Sequence, residues 1–268
     1  MSYGESVAPV SQLSDFIDEA CLTLGAGSTV MWQLALKPVG LGVAEHSNTL
    51  ERPFDRLRTT VTFVLAMVLG TEEERRAVSR MVNSAHRGVR SEGRYDAYDP
   101  EAQLWVAATL ARNAEEMYER TFGRLSDEAR EQVYRDSWIF GTALQVKEEQ
   151  WPPTRAEFLD YWDSMVARLE PDPTVQAYAN KLLDTRALPP LVRPLIPLQS
   201  LMTRGNLPPG IREVLGLRWT ARDQRRYDRF WRWFPPAYRR TPRFLRTFGT
   251  RVYLRDMRRR FATGRRVI

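Results

Sequence analysis

The chain has 268 residues, of which 43% are apolar, enough for one large core or two smaller ones. Its single cysteine, Cys21, excludes an intrachain disulfide and a thiolate metal cluster, and its two histidines speak against a closed tetrahedral zinc site. The apolar run 60–70 is too short to cross a bilayer, and residues 1–20 show no basic region followed by an apolar stretch. We therefore expect a soluble, cytoplasmic protein.

The net charge of +7 is unevenly distributed along the chain. From Arg204 to Ile268 there are 19 arginines and four acidic residues, a local balance of +15 that leaves −8 for residues 1–203. An acidic body is thus followed by a basic segment rich in aromatic residues.

Helix signals recur along the whole chain, whereas the alternation typical of strands is scarce. Apolar residues repeat at intervals of three and four, as in Val78, Met81, Val82 and Ala85. A Thr or Asp N-cap predicts helix starts at Thr71, Thr154, Asp172 and Thr220. Prolines and glycines indicate joints at 38–42, 152–153, 189–197 and 205–210. These signals predict an all-α fold, a single globular domain of roughly ten helices around a buried cavity.

The helix that begins near Pro53 carries two polar residues at the start of a very apolar stretch. Arg56 and Thr60 are four residues apart and project from the same side. Such groups need partners, because an unpaired buried polar group is costly. In a structural interpretation, Arg56 pairs with an acid such as Asp99 or Glu51. Thr60 then bonds a carbonyl of its own helix. In a functional interpretation, both residues belong to a site.

His86 ends the apolar face of the next helix. A histidine in such a position commonly caps carbonyls or is half-exposed, and the alternative is a role that requires an imidazole. The second histidine, His46, is predicted to lie in a surface loop before an Asn-Thr turn. A substrate-side or acid–base role shared with Glu45 is the alternative. Cys21 is expected to pack as a small hydrophobe.

Arginines alternate with Trp, Tyr and Phe through residues 218–266. One interpretation is an Arg-rich solvated face whose aromatic residues pack on the acidic body. A second is a helical face lying on an anionic membrane. A third is a grip on single-stranded nucleic acid, with phosphate contacts and base stacking.

The order and spacing of several short motifs carry a resemblance to a known family. The motifs are Arg56-x-x-x-Thr60, His86-x-x-Val89, Tyr95-x-Ala97-x-Asp99-Pro100, Trp105-Val106 and the segment 206–220. Together they resemble the catalytic domain of the rubber oxygenase (latex-clearing protein) and MpaB-type oxygenase family, from about residue 25 to about residue 240. The resemblance divides the chain into a helical lead-in (1–24), an oxygenase-like all-helical domain (25–240) and a basic aromatic tail (241–268).

The resemblance implies a haem-dependent oxygenase. His86 corresponds to the proximal ligand of a b-type haem iron, and Arg56 and Thr60 to catalytic residues of the haem pocket. Thr59 stands where rubber oxygenases can place a second ligand, a lysine. A catalytic base beside a haem can be a carboxylate, and Glu45 is the nearest candidate.

The implied substrates are dioxygen and an apolar, unsaturated isoprenoid or lipid-like molecule. Because no export signal is found, extracellular polyisoprene is not expected. Such an enzyme would meet its substrate at a membrane, which favours the membrane over nucleic acid as a partner of the basic tail and suggests a peripheral location. The competing hypothesis is a non-catalytic helical protein that binds lipid or nucleic acid, in which Arg56, Thr60 and His86 form only a buried polar network.

Overall fold

The computed structural model describes residues 10–184 and 196–267. Most of the predicted joint at 189–197, residues 1–9 of the lead-in and the last residue of the tail lie outside these ranges. Among the residues that are described, no helix combines the length and the apolarity needed to cross a membrane.

The fold is all-α, as predicted. In chain order, α1 to α14 are Ala26–Ala35, Lys37–His46, Pro53–Leu69, Glu72–His86, Pro100–Phe122, Asp127–Asp136, Trp138–Thr142, Arg155–Ala167, Pro173–Leu182, Ile196–Gly205, Pro209–Val214, Ala221–Arg240, Arg243–Arg246 and Phe248–Ala262. Short 3-10 helices span Leu13–Asp15, Ala20–Gly25 and Glu148–Gln150. One antiparallel hairpin, β1 (Arg90–Ser91) and β2 (Tyr95–Asp96), follows α4. The described ranges contain more helices than the roughly ten expected, because short ones such as α7 and α13 carry too little periodicity to be recognised.

The predicted helix starts are confirmed by their caps. Thr71 accepts a hydrogen bond from the Glu74 amide at 3.2 Å, and the Glu74 carboxylate accepts one from the Thr71 amide at 2.9 Å. The same reciprocal box opens α12 at Thr220, while single N-caps open α8 and α9 at Thr154 and Asp172. These hydrogen bonds satisfy amides that have no partner within the helix.

The central helix, α5, packs against α1, α7 and α12. Trp105 on α5 is fully buried and stacks on Trp162 of α8, with ring centroids 4.9 Å apart. The Trp105 indole N–H donates to the carbonyl of Trp32 in α1 at 3.0 Å, so its polar atom is satisfied inside the core. The aromatic cluster thus joins α1 and α8 to the central helix α5.

The joint predicted at 38–42 is wrong, because these residues lie inside α2. Gly40 permits a close approach rather than a turn. A Cβ at this position would lie 2.4 Å from the Leu34 carbonyl oxygen and 2.6 Å from Cγ2 of Val175. α2 therefore packs directly on the end of α1 and on α9, which a larger residue would prevent.

The inner face of residues 218–266 packs on the acidic body, as the structural interpretation of this segment expects. Trp231, Phe234 and Tyr238 are partly buried against the main core. The Tyr238 hydroxyl donates to the buried Glu19 carboxylate at 2.9 Å and accepts from the Cys21 amide at 3.0 Å. Cys21 is buried, as expected, and burial raises the pKa of its thiol to about 12.

Candidate active site

The hairpin of α3 and α4 brings Arg56 and His86 to the same end of the fold. The two helices contact each other and reverse direction at Gly70 and Thr71, where Gly70 ends α3 and Thr71 caps α4. At a rise of 1.5 Å per residue, Arg56 and His86 each lie about 21 Å along their helix from this turn. The juxtaposition therefore follows from two helices of matched length.

Arg56 is exposed to solvent and lacks an acidic partner among the described residues. Desolvation by the surrounding protein lowers the pKa of its guanidinium. No carboxylate among residues 10–184 and 196–267 pairs with it. The expected pair with Asp99 or Glu51 is therefore wrong, since Asp99 caps α5 by accepting from the Ala102 amide at 2.8 Å.

Thr60 bonds its own helix, as the structural interpretation expects. Its hydroxyl donates to the Arg56 carbonyl at 3.0 Å, and the neighbouring Thr59 hydroxyl donates to the same oxygen at 2.9 Å. Thr60 is half-buried, and its hydroxyl oxygen keeps acceptor capacity. The residue thus fixes the backbone beneath Arg56.

The His86 imidazole makes no hydrogen bond to the described residues, and its pKa is lowered. The residue is half-buried, Nδ1 is enclosed, and neither ring nitrogen bonds to any of the described residues. Burial lowers the pKa of His86 below 6.5, and the positive charge of Arg56 lowers it further. A neutral imidazole with an unused lone pair can serve as a metal ligand. It caps no carbonyl among the described residues, but its half-exposed position agrees with the other part of the structural prediction for a helix-end histidine.

Val89, which directly precedes the β1–β2 hairpin, and Tyr98, which follows it, hold the end of α4, the helix that carries His86. The Val89 amide donates to the His86 carbonyl at 2.9 Å, and the Tyr98 hydroxyl donates to the Asn83 carbonyl at 2.7 Å. These donors serve two of the last four carbonyls of α4, which lack amide donors within the helix. The tyrosine–acid–proline run after His86 therefore braces the helix end and starts α5.

Tyr178 of α9 is a further site residue, which sequence reasoning missed. Its hydroxyl is buried without a hydrogen-bond partner among the described residues, and it lies close enough to interact electrostatically with Arg56. Tyr178 also lines an open pocket of about 410 Å³ between α2 and α9, together with Ala44, Pro173, Thr174, Ala177 and Lys181. Arg56, Thr60 and His86 do not line this pocket, so an enclosed cavity at these residues stays a prediction. No sequence signal separated Tyr178 from the ordinary apolar positions of its helix.

Glu45 and His46 form a separate cluster at the end of α2. Glu45 accepts from Arg94 at 2.6 Å and from the Tyr95 hydroxyl at 2.6 Å, and Nε2 of His46 lies 3.0 Å from the same hydroxyl. The Tyr95 hydrogen bond, followed by that of Arg94, lowers the pKa of Glu45. Its role as a base stays a prediction, and these contacts weaken its basicity. His46 lies at a helix end rather than in the predicted loop, because α2 continues through it.

Protein side chains alone do not form a metal cluster here. Within the described ranges, no three His, Cys, Asp or Glu residues are grouped to hold an ion. A porphyrin iron differs from a protein-bound ion, because four of its ligands come from the porphyrin and the protein need supply only one. The described residues therefore do not form a zinc or non-haem iron site from side chains alone, and a haem, which needs one protein ligand, stays a prediction.

Comparison with known proteins identifies the family. The family model for the catalytic domain of ER-bound oxygenase mpaB/B' and rubber oxygenase matches residues 14–236. The chain belongs to this family. It is also 36% identical over 250 residues to uncharacterized protein Rv2237 of Mycobacterium tuberculosis and to uncharacterized protein Mb2261 of Mycobacterium bovis, covering 90% of this chain and 98% of each relative. No solved structure matches the chain. The resemblance inferred from the short motifs is confirmed.

Proposed function

We propose that this member of the mpaB/rubber oxygenase family is a haem-dependent oxygenase that uses dioxygen on an apolar, unsaturated isoprenoid or lipid-like substrate. One observation carries the proposal: the His86 ring bonds none of the described residues and has a lowered pKa, and the Arg56 charge that acts on it has no acidic partner among those residues. Nδ1 of His86 is enclosed without a hydrogen-bond partner among the described residues, which is costly unless a ligand supplies one, and the Arg56 guanidinium is free to bind an anionic group.

The residues present fit a b-type haem. His86 would be the iron ligand, because its pKa keeps it deprotonated at neutral pH. Arg56 would face a haem carboxylate or bound oxygen, since a guanidinium supplies charged donors to either. Haem ligands commonly donate their second ring N–H to an acceptor, but Nδ1 of His86 has none among the described residues. The hydrogen bonds at the end of α4 would position the ring instead.

The remaining site residues would act on orientation and polarity. When bound, haem would supply the activation of dioxygen. Thr60 would hold the Arg56 backbone through its 3.0 Å hydrogen bond, and Tyr178 would offer a phenolic O–H beside the guanidinium. Glu45 is the proposed base, although its link to Arg94 and Tyr95 places it in the neighbouring cluster.

A non-catalytic role based on a buried polar network has less support. Such a network requires Arg56, Thr60 and His86 to bond one another or nearby side chains. Thr60 bonds only the Arg56 carbonyl, and the His86 ring bonds none of the residues that the structure describes. The bond of Thr60 to its own helix agrees with a structural role for that residue, but it does not join the three residues into a network.

Reconstitution with haemin tests the proposal. We expect wild-type protein to bind about one haem per chain and to show the strong absorption band of haem proteins at about 400 nm. His86→Ala should lose most of the haem while circular dichroism shows an intact fold. His46→Ala is the matched control, because this exposed histidine lies in the other cluster. A wild-type protein that takes up no haem would refute the proposal, and a His86→Ala protein that binds as well as wild type would refute the ligand assignment.

Dioxygen consumption tests the reaction. Squalene and its saturated counterpart squalane have the same carbon skeleton and differ only in their double bonds. Haem-loaded wild-type protein should consume dioxygen with squalene and not with squalane. Arg56→Ala and Thr60→Ala should retain haem and lose at least about tenfold in rate. The first removes a donor near the reacting oxygen, and the second removes the bond that holds the Arg56 backbone. Equal consumption with both substrates would contradict a reaction at unsaturated carbon.

A further inference from the structure

Exposed apolar side chains are concentrated on the outer face of the C-terminal helices. Trp233, Phe244, Leu245, Phe248 and Val252 are 68, 59, 53, 59 and 47% exposed. Among the described residues, the other large hydrophobic side chains with comparable exposure are Leu57 and Leu198, which are more covered, at 41% each. Single exposed hydrophobic residues are ordinary, whereas a group of five within a short segment indicates a contact surface.

Four of these side chains form a stripe across α13 and α14. Phe248 and Val252 are four residues apart and share one face of α14, and Phe244 and Leu245 lie in the short preceding helix, α13. Arg251 ties the two helices together, because it donates to the Phe244 carbonyl and lies over the Phe248 ring at 6.0 Å. The stripe is thus held as one surface by a residue that is itself basic.

Arginines of the same segment divide into a paired inner set and an unpaired outer set. Arg243 and Arg246 contact Glu19, and Arg258 contacts Glu74, so these three bind the tail to the body. The outer set is exposed and has no acidic partner within residues 10–184 and 196–267: Arg240, Arg251, Arg255 and Arg259. The only acidic residue after position 228, Asp256, is paired with Arg260 at 2.7 Å. The outer face is therefore apolar and cationic, without a negative charge of its own to neutralise it.

We infer that the outer face of α12 to α14 docks on an anionic lipid bilayer. The apolar stripe would enter the interface between headgroups and acyl chains, and the outer arginines would contact anionic headgroups. Trp233 of α12 is exposed, and tryptophan is enriched at membrane–water interfaces. Nucleic acid fits this surface less well, because bases stack on aromatic rings and gain little from Leu245 and Val252. The inference is independent of the proposed oxygenase activity.

Co-sedimentation of the full chain with vesicles tests the inference. Vesicles of phosphatidylcholine with phosphatidylglycerol should bind the protein, and those of phosphatidylcholine alone should bind it weakly. Raising the salt concentration from about 50 to about 500 mM should release most of the protein from the anionic vesicles, because salt screens the electrostatic attraction. Absent binding, or equal binding to both vesicles, overturns the inference.

Two sets of variants separate the apolar from the electrostatic contribution. Phe244→Ser combined with Phe248→Ser should weaken vesicle binding at least about tenfold, since buried apolar area sets the strength of interfacial binding. Arg255→Gln combined with Arg259→Gln, two outer arginines that do not hold the stripe together, should weaken binding to anionic vesicles by a similar factor and reduce its salt dependence. Leu198→Ser is the matched control, an exposed apolar residue outside the stripe, and should bind as wild type does.

A nucleic-acid arm completes the test. A fluorescent oligothymidine of about 20 nucleotides is long enough for one binding site. It should bind to the protein more weakly than anionic vesicles do under the same conditions. Tighter binding to the oligonucleotide, with no effect of Phe244→Ser and Phe248→Ser on vesicle binding, would overturn the bilayer assignment. Because all substituted residues are exposed, circular dichroism should show the wild-type fold in every variant.

Discussion

The Tyr98 hydroxyl donates to the Asn83 carbonyl at 2.7 Å, one helical turn before His86. Tyr98→Phe removes this hydroxyl and leaves the Asn83 carbonyl, at the end of α4, without its donor. We expect a loss of about 1 kcal/mol in the free energy of unfolding, as for a neutral hydrogen bond. The proposed haem affinity should fall by up to about fivefold, the equivalent of that energy, because the helix end that carries His86 is less well held.

Tyr161→Phe is the control for this substitution. Its hydroxyl is buried but has no hydrogen-bond partner among the described residues, so its removal should leave the free energy of unfolding unchanged or raise it. Urea unfolding measures both variants. A larger loss from Tyr161→Phe than from Tyr98→Phe would contradict the assigned bracing role.

His86 should titrate below its ordinary pKa of 6.5, because burial and the Arg56 charge both disfavour its protonated form. As the pH falls through 6.5, the unfolded chain takes up this proton before the folded chain does. The contribution of His86 to stability is therefore constant above pH 6.5 and becomes unfavourable below it. Proton NMR of the C–H resonances measures the midpoint directly, and His46→Gln assigns the two histidines. A midpoint for His86 at or above 6.5 would show that the ring is not desolvated beside Arg56.

Glu19 should be the ion-pair residue whose loss destabilises the fold most. Its side chain is only 2% exposed and contacts Arg243 at 3.2 Å and Arg246 at 3.4 Å. Glu19→Ala leaves Arg246 buried without its acid, which should cost about 3 kcal/mol in the free energy of unfolding. Glu72→Ala breaks the exposed pair with Arg76 and should cost less than about 0.5 kcal/mol. Similar losses in the two variants would mean that the tail is not anchored through Glu19.

Two glycine-to-alanine substitutions should have opposite effects. Gly40→Ala places a Cβ 2.4 Å from the Leu34 carbonyl oxygen and should destabilise the protein by about 1–3 kcal/mol, the usual cost of overpacking. Gly249 lies in α14, and a Cβ added there would meet none of the described residues within 4 Å, so Gly249→Ala should stabilise by up to about 1 kcal/mol. Thermal unfolding of both proteins shows the sign. A neutral Gly40→Ala would mean that α2 can shift away from α1 and α9.

Local chemistry made much of the fold predictable from the sequence. The caps at Thr71 and Thr220 depend on residues three positions apart, so both are recognisable without any tertiary contact. Gly40 was misread because a glycine that permits helix contact looks the same in sequence as one that permits a turn. The contact with Val175 joins segments far apart in the chain, which periodicity does not show.

The candidate site was predictable only in part, for a related reason. Arg56 and His86 are unusual on apolar helix faces, but the residues alone left a structural interpretation open, and the family resemblance assigned them to a site. The expected partner of Arg56 was wrong, since Asp99 was needed to cap α5. Tyr178 was missed because its unsatisfied hydroxyl depends on what surrounds α9 in space, and a tyrosine at an apolar position otherwise indicates ordinary packing.

The central claim is that His86 binds the haem iron, and chemical rescue of His86→Gly tests it most directly. Glycine removes the imidazole and leaves space where free imidazole can take its place. We expect wild-type protein to bind haem and His86→Gly to lose it. Imidazole at roughly millimolar concentration should restore the wild-type absorption spectrum in that variant. This much is needed because the free ligand lacks the benefit of tethering. His46→Gly should show the wild-type spectrum without added imidazole. Haem binding by His86→Gly that equals wild type, with a spectrum that imidazole does not change, would contradict the claim.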